Sequence, residues 1–192
     1  MMNRPTREDA WALLTAHTKS ENLRRHALAV EAVMRFRARK CGADEDEWGV
    51  VGLVHDLDYE EHPDEHCLHT GDMLRAAGWP EEYIRAVLSH GWGRCNDVEP
   101  LTDLEKYLFA IDELTGLVAA AALVRPSKSV LDMEVKSVKK KWKEKAFAAG
   151  VDRGVIERGA EMLGVDVSEL IADTIDGMKT VAAEIGLAGA PV

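Results

Sequence analysis

Hydrophobic positions recur at three- and four-residue spacing along nearly the whole chain, which is the pattern of amphipathic helices. In one such segment Leu23, Val30 and Val33 share a face, Ser20 can cap the start, and Gly42 follows the end. We find no convincing alternation of hydrophobic and polar residues, no glycine-rich dinucleotide-binding motif and no internal repeat. The pattern therefore predicts an all-α protein, a compact helical bundle with additional C-terminal helices.

Other segments fit the same class. Residues Trp48 to Leu57 are apolar on almost every side and predict a buried helix, and Leu104 to Val124 predicts a long one. The length of 192 residues corresponds to a single domain spanning 1–192. Residues 150–187 predict an amphipathic helical extension that packs either on the domain or on a second subunit of a homo-oligomer.

Composition narrows the class of protein. Hydrophobic residues make up 46% and charged residues 30%, as in ordinary globular proteins, and the net charge of −10 makes nucleic acid an unfavourable partner. Cys41, Cys67 and Cys95 form no C-x-x-C pair, which argues against a disulfide framework and a thiolate zinc site. The longest apolar run, Leu117 to Val124, is too short to span a membrane, and residues 1–9 lack a signal sequence. We expect a cytoplasmic protein without membrane association.

Four polar residues lie where apolar residues are expected. His26, the doublet His55-Asp56, and Asp112 fall on three apolar segments. One buried histidine is usually structural, but burying an ionised aspartate costs several kcal/mol unless it is compensated. A shared metal ion accounts for all four residues. Imidazole and carboxylate ligands without thiolate suit a divalent transition metal: Fe, Mn, Ni, Co or Zn.

The order of these residues resembles the HD-domain superfamily of metal-dependent phosphohydrolases, across about residues 20–125. The stretches VHDLDYE (54–60) and ALVRPSK (122–128) look typical of its small stand-alone bacterial and archaeal members. The resemblance implies an HD-type core, followed by a basic helical segment (125–147) and the extension. It implies hydrolysis of a small phosphorylated substrate, a nucleotide or phosphate monoester, by metal-activated water. The alternatives are a di-iron HD-fold oxygenase and a non-catalytic metal-containing ligand-binding module.

Some HD proteins bind a second ion through two further histidines. By resemblance, His66 and His90 are the candidates here, and His69 could replace His66. Asp56 would then bridge two ions, with His26, His55 and Asp112 completing the shell of the first. Otherwise these histidines line the mouth of a site with one ion.

Three further residues are candidates for substrate chemistry. Asp58 follows the doublet and is the proposed general acid or base. Arg125 and Lys128 are the proposed phosphate contacts, because they open a segment, 125–145, with eight basic and three acidic residues and a net charge of +5. The alternative for each is a solvated loop or helix face.

Overall fold

The structure is a computed structural model that describes residues 4–189. The predicted all-α class is confirmed, since no strand is present in that range. The first and last three residues of the predicted domain 1–192 lie outside the described residues, and so does the start of the segment examined for a signal sequence. The described residues form nine α-helices: α1 (Arg7–His17), α2 (Glu21–Cys41), α3 (Glu45–Leu53), α4 (Thr70–Ala76), α5 (Glu81–Leu88), α6 (Asp103–Leu123), α7 (Val135–Trp142), α8 (Arg153–Leu163) and α9 (Val167–Lys179).

The two long helices end where their sequences contain capping residues. Ser20 accepts a hydrogen bond from the Leu23 backbone N–H at the start of α2, and Gly42 adopts a φ of +73° after its end. At the start of α6, Thr102 and Glu105 form a reciprocal capping box. These caps fix the ends of the two helices that carry His26 and Asp112.

The predicted helix Trp48–Leu57 is shorter than expected. Helix α3 ends at Leu53, and the chain continues in tight turns in which Leu57 N–H donates to the Val54 carbonyl and Tyr59 N–H donates to the Asp56 carbonyl. Because the backbone leaves helical geometry at this point, the two adjacent side chains of the doublet can face the same region. The basic segment is likewise helical only over Val135–Trp142.

The helices pack around α2 and α6. Helix α2 contacts α3, α6 and α9, and α6 also contacts α8. A Cβ atom added to Gly159 of α8 would lie 2.4 Å from Cβ of Ala110 on α6, so these two helices approach more closely than larger residues allow. Most of the buried hydrophobic side chains form one cluster, which runs along the chain from Ala10 to Leu187. Within residues 4–189, none of the helices combines the length and apolar character needed to span a bilayer.

Candidate metal centre

Four of the predicted ligands meet at one point between α2, the end of α3 and α6. His26 Nε2 lies 3.0 Å and His55 Nε2 lies 3.3 Å from Asp112 Oδ1, and the two imidazole nitrogens are 3.3 Å apart. Asp56 Oδ2 lies 3.2 Å from His55 Nε2 and 3.7 Å from His26 Nε2. The structure thus brings together the four residues that the sequence singled out, and we call them the first ligand group.

Backbone packing orients His55 within this group. Gly52 packs against α2 so closely that an added Cβ would lie 3.3 Å from the Val30 carbonyl oxygen. The Gly52 carbonyl in turn accepts a hydrogen bond of 2.8 Å from His55 Nδ1. With its proton on Nδ1, the neutral imidazole directs the lone pair of Nε2 at the other ligands, the tautomer that metal binding requires.

A second ligand group lies on the other side of Asp56. His66 Nε2 and His90 Nε2 are 3.2 Å apart, and Asp56 Oδ1 lies 3.3 Å from the first and 3.5 Å from the second. His90 Nδ1 donates to the Val87 carbonyl at 2.6 Å, so its Nε2 is also free to accept. The two carboxylate oxygens of Asp56 therefore face different groups, Oδ2 the first and Oδ1 the second, as a bridging ligand would.

The donor separations fit metal coordination. Two nitrogen or oxygen ligands about 2.0–2.1 Å from an ion, at angles of 90–110°, lie roughly 2.9–3.4 Å apart. The nearest contacts in both groups fall in or near this range. Burial alone would lower the pKa of His55, but the charges of Asp56 and Asp112 outweigh it and raise that pKa to about 10. Without an ion, protons therefore occupy the positions that a cation would take.

Asp58 lies beside the second group, and its geometry does not fit the predicted general acid or base. Its side chain is fully buried, with Oδ1 accepting from His66 Nδ1 at 2.8 Å and Oδ2 from the backbone N–H groups of His69 and Thr70 at 3.1 Å. Burial alone would raise the pKa of Asp58, but these hydrogen bonds lower it to about 2. The carboxylate thus holds His66 in orientation, and both of its oxygens already accept hydrogen bonds.

The choice between His66 and His69 is resolved by position. His69 belongs to a separate surface group with His62 and Glu65. The His69 and His62 rings stack with their centroids 4.0 Å apart, and His69 Nε2 lies 2.8 Å from Glu65 Oε2. Only His66 and His90 approach Asp56 Oδ1 from this part of the chain. His66 is therefore the candidate ligand.

Cys67 is a donor that the sequence argument set aside. Its buried sulfur lies 3.6 Å from His90 Nε2, and it forms one potential ligand group with His66 and His90. Burial alone would raise the pKa of this thiol, but the facing His90 and His66 rings lower it to about 6. The only sequence signal was its position directly after His66. Its contact with His90 depends on tertiary packing.

Arg125 lies away from both groups. Asp112 is separated from the end of α6 at Leu123 by eleven residues, or about 16 Å of helix, and Arg125 lies beyond that end. Arg125 donates instead to Ser137 and Asp132. Arg125 is therefore engaged outside the two ligand groups, and the role of Arg125 and Lys128 as phosphate contacts stays a prediction. Lysines of α7 line a separate surface groove of about 610 Å³ with Trp142, and no predicted metal ligand borders it.

A small cavity adjoins the first ligand group. It has a volume of about 330 Å³ and includes the side chain of His26 in its wall. Asn22 and Arg25 of α2 supply further polar groups, and the remaining wall is largely apolar. The residues from α6 and the C-terminal extension that complete it are Thr115, Gly116, Ala119, Leu123, Met178, Ile185, Gly186 and Leu187.

Comparison with known proteins adds no further identification. No family model matches the chain, and searches of curated proteins and of solved structures find no significant match. The helical fold and its histidine and aspartate groups could bind metal and are compatible with an HD-type domain.

Proposed function

We propose that this protein is a metal-dependent phosphohydrolase acting on a small phosphorylated substrate, a nucleotide or a phosphate monoester. The observation that carries the proposal is the position of Asp56, whose two oxygens face two separate groups of histidines. Divalent ions held there would supply Lewis acidity, lowering the pKa of water and offsetting charge on phosphoryl oxygens. The reaction class itself rests on the resemblance to HD-domain phosphohydrolases.

The protein's own residues have distinct tasks in this proposal. His26, His55 and Asp112 would hold one ion, and His66 and His90 the other, with Asp56 shared. Gly52, Val87 and Asp58 keep three of these imidazoles in the tautomer that leaves Nε2 free. Rigid orientation of this kind reduces the reorganisation needed when substrate binds.

The adjoining cavity supports a small substrate. Its volume of about 330 Å³ lies at the lower end of the range of small-molecule sites. Arg25 and Asn22 lie close to His26 along α2 and contribute polar groups to the wall. We assign to Arg25, rather than to Arg125 or Lys128, the contact with an anionic group of the substrate.

The test is hydrolysis of p-nitrophenyl phosphate and of nucleoside monophosphates, with Mn²⁺, Co²⁺, Fe²⁺, Ni²⁺ or Zn²⁺ added to metal-free protein. His55→Ala and Asp112→Ala should each lower kcat/KM by on the order of 100-fold or more, because each removes a ligand. His17→Ala is the matched control, since His17 pairs with Glu61 outside both groups. Equal turnover in all four proteins would refute the assignment. Substrate-dependent oxygen consumption by an iron-loaded protein would favour the oxygenase instead.

A further inference from the structure

We propose that Cys67 is a ligand of the second ion, so that this position is held by two imidazoles, one carboxylate and one thiolate. The inference rests on the proposed metal centre and adds to it a sulfur donor. It makes the two positions chemically unequal. The first has two nitrogen and two oxygen donors, whereas the second contains sulfur.

The distances agree with coordination through sulfur. An ion with a metal–sulfur bond of about 2.3 Å and metal–nitrogen bonds of about 2.0–2.1 Å at a tetrahedral angle places the sulfur and nitrogen atoms roughly 3.5 Å apart. Cys67 Sγ and His90 Nε2 are separated by 3.6 Å. The two imidazole nitrogens of His66 and His90, 3.2 Å apart, meet the same geometry. Two of the three donor separations therefore match one coordination tetrahedron, and the donor atoms of Cys67, His66 and His90 all lie within 4.8 Å of one another. Asp56 Oδ1 faces the two nitrogens.

The backbone holds the sulfur in this position from two sides. Cys67 has a φ of +69°, a left-handed conformation that residues with a Cβ rarely adopt. On the opposite side, Gly91 follows His90, and a Cβ added there would lie 2.6 Å from Cys67 Sγ. The sulfur thus occupies space that is open only because residue 91 is glycine. Both features place the thiol beside His90. Cys67 is only 3% exposed there.

The donor set predicts which metals each position prefers. Thiolate sulfur favours Zn²⁺, Co²⁺ and Fe²⁺ over the harder Mn²⁺ and Mg²⁺. The first position, with only imidazole and carboxylate, accepts Mn²⁺ more readily. A protein offered both Zn²⁺ and Mn²⁺ should therefore bind Zn²⁺ at the second position before the first.

The experiment is a Co²⁺ titration of metal-free, reduced protein followed by near-ultraviolet absorption, where cobalt–thiolate charge transfer gives a band that nitrogen and oxygen ligands do not give. The wild-type protein should develop this band, and Cys67→Ser should bind cobalt without it. Cys95→Ser and Cys41→Ser are the matched controls and should keep the band. Cys95 is the sharper control because it lies in the same Gly91–Asn96 turn region as the glycine that accommodates the sulfur.

The outcomes separate this inference from the proposed function. Binding of two cobalt ions by the wild-type protein without a charge-transfer band would overturn the sulfur ligand and leave the metal centre intact. No cobalt binding at all would overturn both. Loss of the band in Cys95→Ser, with retention in Cys67→Ser, would overturn the proposal and show that Cys95 supplies the sulfur. If Cys67→Ser fails to fold, X-ray absorption of the wild-type zinc protein decides, since a sulfur neighbour at about 2.3 Å is then required.

Discussion

Replacing Asp58 with asparagine tests the role that the structure gives this residue. The substitution keeps the shape of the side chain but replaces one acceptor oxygen with an NH₂ group. If the remaining oxygen accepts from the His69 and Thr70 N–H groups, the NH₂ group faces His66 Nδ1. His66 must then accept at Nδ1 and carry its proton on Nε2, the atom that faces Asp56. The variant therefore blocks the ligand atom by changing the tautomer.

The expected magnitude follows from the role of such supporting hydrogen bonds. Removing a group that orients a metal-bound histidine typically weakens metal affinity by 10–100-fold, or about 1.4–2.7 kcal/mol. The loss should fall on the second ion alone, because the first ligand group has no contact with Asp58. Calorimetric titration of metal-free protein with Co²⁺, with a chelator as competitor where binding is tight, measures the affinity of each binding step.

Asp58 also contributes to the stability of the metal-free protein, with a defined dependence on pH. Its pKa is about 2 in the folded protein against an ordinary value of 3.8, so its contribution is fully present above about pH 4 and is lost as the pH falls through about 2. The shift corresponds to roughly 2 kcal/mol at neutral pH. Urea denaturation should show Asp58→Asn less stable by about this amount at pH 7.

Asp64→Asn is the matched control, since it makes the same chemical change at an exposed position of the same loop. It should leave both affinities and the free energy of unfolding within about 0.5 kcal/mol of wild type. An Asp58→Asn variant with unchanged affinity for the second ion, or with equal losses at both ions, would refute the tautomer argument.

Three further predictions concern protons, packing and the basic segment. Metal binding at pH 7 should release protons, because the pKa is about 10 for His55 and about 9 for His66 and both imidazoles must be deprotonated to bind metal. Calorimetry in buffers of different ionisation enthalpy measures this release. Gly159→Ala should lower the free energy of unfolding by about 1–3 kcal/mol in urea denaturation, because its Cβ would overlap Ala110. Arg125→Ala should leave kcat/KM unchanged in the phosphatase assay, because the Arg125 guanidinium is held by Ser137 and Asp132 and does not line the cavity beside His26.

Each of these predictions has its own contrary result. Metal affinity that does not rise between pH 6 and pH 8 would contradict proton displacement. The control for Gly159→Ala is Gly116→Ala on α6, where an added Cβ would meet only one side-chain atom, at 4.0 Å. Because alanine favours a helix over glycine, Gly116→Ala should stabilise the protein by about 0.5–1 kcal/mol. Equal destabilisation of the two variants would refute the close approach of α6 and α8. A large loss of turnover in Arg125→Ala would instead indicate that Arg125 contacts the substrate.

The sequence predicted the first ligand group because each member is polar at a position where helical periodicity requires an apolar residue. That signal is local, and His26, His55 and Asp112 all carry it. Asp58 carries no such signal for its role, because its three hydrogen-bond donors come from residues 66–70 after the chain has turned back. The same holds for Cys67, whose contact with His90 depends on a positive φ that no sequence pattern indicates.

Errors in the fold prediction have a similar origin. Residues Trp48 to Leu57 are apolar on almost every side apart from His55 and Asp56, so the end of α3 at Leu53 has no counterpart in the pattern. Tight turns and helix are equally compatible with a fully buried segment, since neither exposes a polar face. The assignment of Arg125 and Lys128 rested on net charge, which indicates a basic surface but gives no distance from Asp112.

The cavity beside His26 has a consequence for how the protein is made. All six predicted histidine and aspartate ligands lie between His26 and Asp112, whereas Ile185 and Leu187 complete the cavity wall. During synthesis, the ribosome therefore delivers every ligand some seventy residues before the last part of the wall. A nascent chain could take up metal while its pocket is still open. Under the proposed function, substitutions near residues 185–187 would alter the cavity wall while the six predicted ligands stay unchanged, so metal retention and substrate choice would evolve separately.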